Sequence, residues 1–438
     1  MDSMNRRDFL KESSRTAVSM AAIPLLRPKR ASAVSPNDVI RVAVIGFNGR
    51  GGSHIDAFLP SSGHGTEIGA LVDIDENVLS RGMEKVEKNQ GRSAAAYTDL
   101  RKMLEDKSVD AVSIATPNHW HSLAAIWAIQ AGKDVYVEKP LSHNVFEGRK
   151  LVEAARKYSR IVQHGTQSRS SGGVREAIEQ LRKGVIGKVY MAKGHCFKWR
   201  SSIGKVTVPT PVPPGVDYNL WCGPAPMTPI RRQRFHYDWH WQWDFGNGDI
   251  GNQGVHEMDI ARWGLGVALP NAVFSDGGRF GYEDDGQTPN TQHAVFDYDG
   301  AVLQFEVRGL PTNDEQTVRV GNIFYGSDGY MVVNRGKWHT YMGANSEPGP
   351  SGPTKDAQGV DHFQNFAEAM KTRNSEHLNA PAEEGHLSSA LCHLANVSYR
   401  LGRKLKVDPK SEKFVGDLEA DAMLTRQYRS PFIVPEIV

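Results

Sequence analysis

VIRVAVIGFNGRG, residues Val39 to Gly51, is the stretch on which the reading of this chain turns. A β-branched run from Val39 to Ile45 stops at Gly46, and a helix-compatible stretch opens near Gly52. Gly46-Phe47-Asn48-Gly49-Arg50-Gly51 therefore lies where a strand hands over to a helix. A fold that grips a dinucleotide needs glycine there: for the tight turn, for approach of a pyrophosphate to backbone, and for close helix packing. The helix N-terminus then offers free N–H groups to the phosphates. The middle glycine of the usual pattern is Asn48 here. Asparagine tolerates left-handed backbone, so the turn is expected to survive with a slightly wider approach. By itself the run fits a glycine-rich surface turn equally well, and its surroundings must decide.

Downstream, Gly69–Val72, Ala94–Tyr97, Asp110–Ala115 and Asp134–Val137 read as further short strands. Helical stretches at Glu76–Lys88 and Ser122–Ala131 fall between them. Strands and helices alternating at this pace imply βαβ units and a parallel sheet buried on both faces. Asp73 lies 27 residues past Gly46, at the end of the second strand, where a carboxylate would accept ribose hydroxyls. The alternative for Asp73 is a helix N-cap before Glu76-Asn77. No Arg or Lys adjoins Asp73 and Asp75 to receive a 2′-phosphate, so NAD is favoured over NADP.

The chain of 438 residues suits two domains. Hydrophobic residues at 39% and charged residues at 23% fit a globular protein with a sizeable core. Lys plus Arg number 52 against 50 acidic residues, a balance that argues against nucleic acid or a membrane surface as partner. Cys196, Cys222 and Cys392 are too scattered for a disulfide framework or a metal site and read as ordinary thiols. Beyond Lys157 the texture changes. Val174–Leu181 reads as a helix and Lys188–Phe197 as a long strand, followed by a loop from Pro209 to Pro229. Ala294–Tyr298, Ala301–Val307, Gln316–Val320 and Tyr330–Val333 read as strands, with hairpin signals at Asp299-Gly300 and Asp328-Gly329. Gly343–Gly359 reads as a loop, and helices are expected at Asp361–Thr372 and Glu383–Leu401. The expected fold is α/β: an N-terminal Rossmann parallel sheet (37–160), then an α+β domain with a mostly antiparallel open sheet (161–405), then a short helix and arm (406–438).

Thr116-Pro117-Asn118-His119-Trp120-His121 follows the fourth strand and Glu138-Lys139-Pro140 the fifth, both at carboxyl ends where open α/β sheets place ligands. TPNHWH, then AGKDVYVEKPLS, then GNQGVHEMDIARW together resemble the glucose-fructose oxidoreductase / inositol dehydrogenase / rhizopine-catabolism (Gfo/Idh/MocA) family. The resemblance is close over the Rossmann half and rests on element order in the second. It implies an NAD-dependent enzyme acting on a sugar or polyol, assembled as a homodimer or homotetramer over the open sheet. It nominates Lys139 as the residue touching both substrate and nicotinamide. It also marks Gly46, Asn48, Gly49, Arg50, Gly51, Asp73, Thr116, Pro117, Asn118, His121 and Glu138 as the cofactor-binding set.

Oxidation of an alcohol needs a proton taken from the hydroxyl as hydride leaves carbon; an ammonium steadies alkoxide charge, and a histidine takes the proton near neutral pH. His256 is that histidine in this reading, with a buried structural histidine as the alternative. Asn252 and His256, four apart on a segment read as helical, are expected to share a face. The family usually carries aspartate where this chain has Asn252. An asparagine orients a histidine but supplies no charge, and Asp249 is the nearby candidate to compensate.

Phe235 to Phe245 (FHYDWHWQWDF) packs aromatics, two histidines and two aspartates just before that segment. Trp239, His240, Trp241 and Asp244, with Asp249 and His256, are the expected substrate wall, since aromatic faces stack on the apolar side of sugar rings. Core or subunit packing is the alternative for any one tryptophan. A metal held by His236 and His240 is considered and set aside, because the redox chemistry needs none. Glu384 and His386 are weaker candidates, Glu384 being explained by the start of its helix.

At the N-terminus, Asn5-Arg6-Arg7-Asp8-Phe9-Leu10-Lys11 resembles a twin-arginine export signature, followed by an apolar stretch and Ala31-Ser32-Ala33. Residues 1–33 thus read as a signal peptide, too short in its apolar part to span a bilayer, and the destination as periplasmic. An exported enzyme meets little free NAD, so a tightly held cofactor and a redox-neutral cycle are expected. The leading expectation is a sugar oxidoreductase. The alternatives are an NAD-dependent glycoside-cleaving enzyme, working by transient oxidation, elimination and re-reduction, and a non-catalytic sugar-binding protein.

Overall fold

Six unbroken or nearly unbroken apolar runs form the first sheet. In the computed structural model, which describes residues 39–438, they are β1 (Ile40–Ile45), β2 (Thr66–Val72), β3 (Ala95–Tyr97), β4 (Ala111–Ile114), β5 (Asp134–Val137) and β6 (Val162–His164). All pair in parallel, in the order β3-β2-β1-β4-β5-β6. Every residue of β2, β4 and β5 is buried, as a sheet covered on both faces requires. One face packs Ile45, Ile114 and Val135 against Leu123 and Ile126 of the helix Asn118–Gln130. The other packs Val44 and Tyr136 against Phe58 and against Phe363 and Phe366 of the helix His362–Thr372. Strand order reverses between β1 and β4, and the cleft opens there.

The second sheet has ten strands: β7 (Val189–Cys196), β8 (Ala272–Gly278), β9 (Thr291–Tyr298), β10 (Ala301–Arg308), β11 (Val320–Gly326), β12 (Gly329–Asn334), β13 (Lys337–Met342), β14 (Glu347–Gly352), β15 (Leu405–Asp408) and β16 (Lys413–Phe414). Their order is β14-β13-β12-β11-β7-β10-β9-β8-β15-β16, antiparallel except for β7 beside β10. The helices Gly172–Arg182, Val255–Leu265 and Ala382–Leu401 cover one face, burying Ile178, Met258, Leu391, Phe305 and Phe324 together. Their packing fixes the helix that carries His256.

Three sequence expectations need correction. Gln316 and Thr317 take positive φ in a turn, and the strand expected at Gln316–Val320 starts only at Val320. Gly343–Gly359 is not all loop, because β14 pairs with β13 inside it. Glycine and proline are compatible with a strand there because β14 is at the edge of the sheet. The tail contributes β15 and β16 before its short helix Leu418–Ala422, and its arm buries Phe432 and Val434 against the Rossmann core. The helix Val145–Lys157 and β6 lie outside the sequence expectations. The Asn144 side chain caps that helix on the Glu147 amide while Glu147 Oε2 accepts from the His143 amide, a reciprocal capping pattern legible in the sequence. The twin-arginine reading falls on residues 1–33, outside the described residues.

A buried ionic cluster ties the two halves. Arg169, from the turn Gln167–Ser170 after β6, donates Nε–H to Asp259 at 2.8 Å and Nη2–H to Glu384 at 2.9 Å. Arg262 also pairs with Glu384, and Ser388 donates to Asp259 at 2.6 Å. Burial would raise Asp259, but the Arg169 charge and hydrogen bond overcome it and hold the carboxyl below its usual range. Glu384 is thereby a structural anchor. Removing one partner of a buried pair leaves an uncompensated charge, so Asp259→Ala should lose about 3 kcal/mol of stability. Urea unfolding checks this; a loss of under ~1 kcal/mol would mean that Glu384 alone satisfies both arginines.

Candidate active site

The carboxyl ends of β1, β2, β3, β4 and β5 line a cleft of about 360 Å³. Its floor is Gly46 to Arg50, then Asp73, Thr98 to Leu100, Thr116 to Asn118, and Glu138-Lys139. Its roof comes from the second half: Leu220, Trp221, His236, Tyr237, Trp239 and His240, with Asn252 at one end.

Gly46 is the left-handed residue of the turn, at φ +74°, and a Cβ on it would stand 3.0 Å from Thr116. Asn48 does not take that conformation, so the expected left-handed asparagine is corrected. The Asn48 side chain instead accepts from Arg81 at 3.2 Å. A Cβ on Gly51 would lie 2.1 Å from the Gly46 carbonyl, so that glycine sets how closely the helix Gly51–Phe58 packs. Asp73 is buried, accepting from the Phe47 amide at 3.0 Å and the Asp75 amide at 3.1 Å. Burial raises its pKa, against those two amides. The N-cap of the following helix is Asp75, not Asp73.

A dinucleotide fits these residues. The amides of Asn48 and Gly49 carry no hydrogen bond among the described residues. A Cβ on Gly49 would meet nothing within 4 Å, and the buried Thr116 Oγ1 has no partner among the described residues. His121, by contrast, has both ring nitrogens on carbonyls, of Thr116 at 2.8 Å and Pro140 at 2.6 Å. It lines the cleft, but with both nitrogens facing carbonyls it fastens the two loops together and offers a cofactor only its ring carbons. Pro117 caps the helix Asn118–Gln130, and Asn118 donates to Asn247 at 3.0 Å.

Glu138 gathers the site. Its Oε1 accepts from Arg50 Nε at 2.9 Å, Gln167 Nε2 at 3.0 Å and His54 Nε2 at 3.2 Å; its Oε2 accepts from the Lys139 amide at 3.1 Å. Burial pushes this carboxyl up, but the His54 bond and the charges of Arg50 and Lys139 hold it well below the usual range. The Lys139 side chain reaches the Asn252 carbonyl at 2.6 Å and the Asn252 side-chain oxygen at 3.3 Å. Burial lowers the Lys139 pKa, while Glu138 and Asp249 pull it back up.

Asn252 therefore holds Lys139, and no hydrogen bond joins it to His256 among the described residues. The cause is local: Ile250–Gly254 winds as a π-helical turn before the α-helix Val255–Leu265, and in a wider turn residues four apart no longer stack. His256 is partly buried, its Nδ1 has no partner among the described residues, and burial and the Lys139 charge push it down to about 4. Asp249 is bound by Arg200 at 2.8 and 3.0 Å, so it reaches Lys139 only through its charge.

The aromatic stretch divides. Asp238–Trp241 is a 3₁₀ turn, which sends successive side chains to different sides. Trp239 and His240 stack at 3.7 Å and face the cleft. Trp241 lies outside the lining, under the Arg200 guanidinium at 5.6 Å. Asp244 is also outside it, its carbonyl accepting from Arg426 at 2.8 Å. Asp249 and His256 are likewise outside it, so of the six expected wall residues only Trp239 and His240 line the cleft. His236 and His240 are engaged separately, His236 with Asp75 at 3.0 Å, and no cluster of three or more His, Cys, Asp or Glu among the described residues is arranged for a metal. Sequence reading missed Thr98 and Asp99, which follow β3 as Asp73 follows β2, and the buried Arg232, whose guanidinium lies 4.2 Å over Trp221. No helix among the described residues is long and apolar enough to cross a membrane.

Comparison with known proteins agrees with this architecture. The family model described as "Oxidoreductase family, NAD-binding Rossmann fold" matches residues 40–166. The model for that family's C-terminal alpha/beta domain matches 173–273 and 354–434, and the GFO/IDH/MocA C-terminal domain matches 226–332. The chain belongs to the GFO/IDH/MocA oxidoreductase family, and its first domain is an NAD-binding one. It is 28% identical over 225 residues to a glycosyl hydrolase family 109 protein of Shewanella baltica, a match covering 46% of this chain and 48% of that relative. The match thus spans about half the length of the relative. Among solved structures it shares its fold with the WlbA dehydrogenase of Bordetella pertussis in complex with NADH and UDP-GlcNAcA (TM-score 0.64, 21% identity, 86% of this chain and 99% of that one). It also resembles the aldose-aldose oxidoreductase of Caulobacter crescentus complexed with glycerol (TM-score 0.62, 18% identity, 84% and 99%).

Two outcomes follow from the geometry. A carboxylate receiving ribose hydroxyls contributes roughly 1.5–3 kcal/mol, so Asp73→Ala should weaken NAD binding about tenfold or more by calorimetric titration. An unchanged Kd would remove Asp73 from the cofactor site. A histidine depressed to about 4 is neutral, and able to take a proton, well below the ordinary histidine range. The acid limb of kcat/KM should therefore fall near pH 4; a limb near the unperturbed value of about 6.5 would exclude His256 in this environment as the base.

Proposed function

We propose that this chain passes hydride between a tightly held NAD and a hydroxyl-bearing carbon of a sugar or polyol. The observation that carries the reading is the Lys139 ammonium at the end of the dinucleotide cleft, 2.6 Å from the Asn252 carbonyl. NAD held by the glycine turn and Asp73 would supply the hydride acceptor for the alcohol carbon or, as NADH, the donor to the carbonyl. Lys139 donates to the substrate oxygen and steadies its alkoxide charge, with Asn252 aiming the side chain. His256 takes the hydroxyl proton at Nε2, because its Nδ1 is enclosed and out of a substrate's reach. Trp239 and His240 offer a flat wall to the sugar ring. Gly46, Gly49, Arg50, Asp73, Thr116 and Glu138 hold or frame the cofactor, and the roof from Leu220 to His240 retains it.

A second reading, transient oxidation followed by elimination of a glycosidic substituent and re-reduction, is favoured by the likeness to a glycosyl hydrolase family 109 protein. Oxidising a ring carbon acidifies the neighbouring C–H, so elimination needs no pair of catalytic carboxylates. Release of phenol from an aryl glycoside with no NAD added would select it. We also propose twin-arginine export to the periplasm, on the pattern at Asn5–Lys11, and assembly as a homodimer or homotetramer over the open sheet, where Tyr190 and Phe274 stand exposed.

Lys139→Ala should lower turnover by roughly two to four orders of magnitude while NAD still binds; near-normal turnover would remove Lys139 from the chemistry. Asn252→Asp places a carboxylate against Lys139, which raises the pKa of the ammonium. The basic limb of the pH profile should then move to higher pH, and an unmoved limb would mean that another group sets it.

A further inference from the structure

A second cavity, of about 280 Å³, lies between the helix Val255–Leu265 and the strands β11 and β12. Its polar lining is Ser168, Lys198, Glu257, Asn322 and Arg335. Asn322 is fully buried; its Nδ2 donates to the Glu257 carbonyl at 2.7 Å, which fixes the amide so that Oδ1 is the oxygen left over. That Oδ1 has no partner among the described residues. A buried acceptor without a donor is costly, and this oxygen stays enclosed beneath the cavity wall.

The charges are one-sided. Lys198 Nζ donates to Gln253 Oε1 at 2.5 Å, and Gln253 Nε2 donates to the Glu257 carboxyl at 3.1 Å. The Arg335 guanidinium has no hydrogen bond or ion pair among the described residues. Burial pushes Glu257 up to about 8, leaving it mostly protonated and a donor at neutral pH. Two cations, both on exposed side chains, thus face the cavity with no ionised carboxylate to balance them. Gln253 follows the Asn252 that holds Lys139, and Glu257 follows His256, so the cavity adjoins the reacting groups along one stretch of chain.

We propose that this cavity receives the anionic substituent of the substrate, a carboxylate or phosphate bound by Lys198 and Arg335. The proposal rests on the sugar-oxidoreductase reading and narrows it to acidic sugars, either uronic acids or sugar phosphates. Shape favours neither source, and both present the same oxyanion to the same cations.

The test compares the second-order rate constant for a single round of reduction of the bound NAD, followed by NADH absorbance, with a neutral hexose, the matching uronic acid and the matching hexose 6-phosphate. Either acid should exceed the neutral sugar by roughly tenfold or more, as one to two charge-assisted hydrogen bonds allow, and the better one identifies the source. Lys198→Met with Arg335→Asn, the latter suited to the left-handed backbone at φ +49°, should collapse that ratio. Equal rate constants for neutral and acidic sugars, or a ratio unchanged in the double variant, overturn the subsite and leave the oxidoreductase reading standing. If no sugar reduces the bound NAD, the reading itself fails, and calorimetric titration with the uronic acid and with inorganic phosphate judges the subsite alone. Binding lost in the double variant supports it; no binding to the unaltered protein overturns it.

Discussion

One buried carboxylate organises this protein. Glu138 sits where β5 ends and receives, at about hydrogen-bond distance each, the Arg50 guanidinium of the glycine turn, the His54 ring of the first helix, Gln167 from the segment leading to the second half, and the amide of Lys139. Since a carboxylate only accepts, His54 Nε2 carries a proton toward it, and its Nδ1 pairs with the Ser113 hydroxyl at 2.8 Å on β4. Four separate chain segments are thereby fixed on one point. Leaving any of them unpaired at this depth costs more than an ordinary surface bond, so the network sets the register of the glycine turn against the lysine. Arg169, two residues past Gln167, extends the same tie to the helix carrying His256.

Burial tunes the groups that meet in the cleft. It lowers Lys139, drives His256 to about 4 and raises Asp73, in each case by disfavouring the charged form. The roof supplies much of that burial. Residues 213–217 dock beside the end of β2, where the Glu76 amide meets the Gly215 carbonyl and the Asp217 amide meets the Ile74 carbonyl, each at 3.0 Å. His236 adds a bond to Asp75. A dinucleotide in the cleft would lie between this roof and the glycine turn, and leaving would require the roof to part from the Rossmann domain. That construction is what supports the proposed retention of the cofactor.

Much of this was legible in the sequence because local signals agreed. The strand-to-glycine handover at Ile45-Gly46, the aspartate ending β2 and the EKP segment ending β5 each carry their structure in a few neighbouring residues. What escaped depends on turns and on partners far along the chain. The π turn at Ile250–Gly254 has no signature in residue type, yet it moves Asn252 off His256 and onto Lys139. A 3₁₀ turn splits Trp239 and His240 from Trp241. Both ring nitrogens of His121 find carbonyls that only the folded chain brings together, so a residue that looks available in sequence is occupied in space. The buried Arg232 in its aromatic cage reads from sequence as one more surface arginine.

The central claim is that the cleft beside Lys139 keeps its own NAD. Purifying the protein without added nucleotide, denaturing it, and identifying what is released by mass spectrometry tests that claim most directly. Close to one NAD or NADH per chain is the predicted result. A protein that releases no nucleotide would contradict retention and, with it, the redox-neutral cycle built on it.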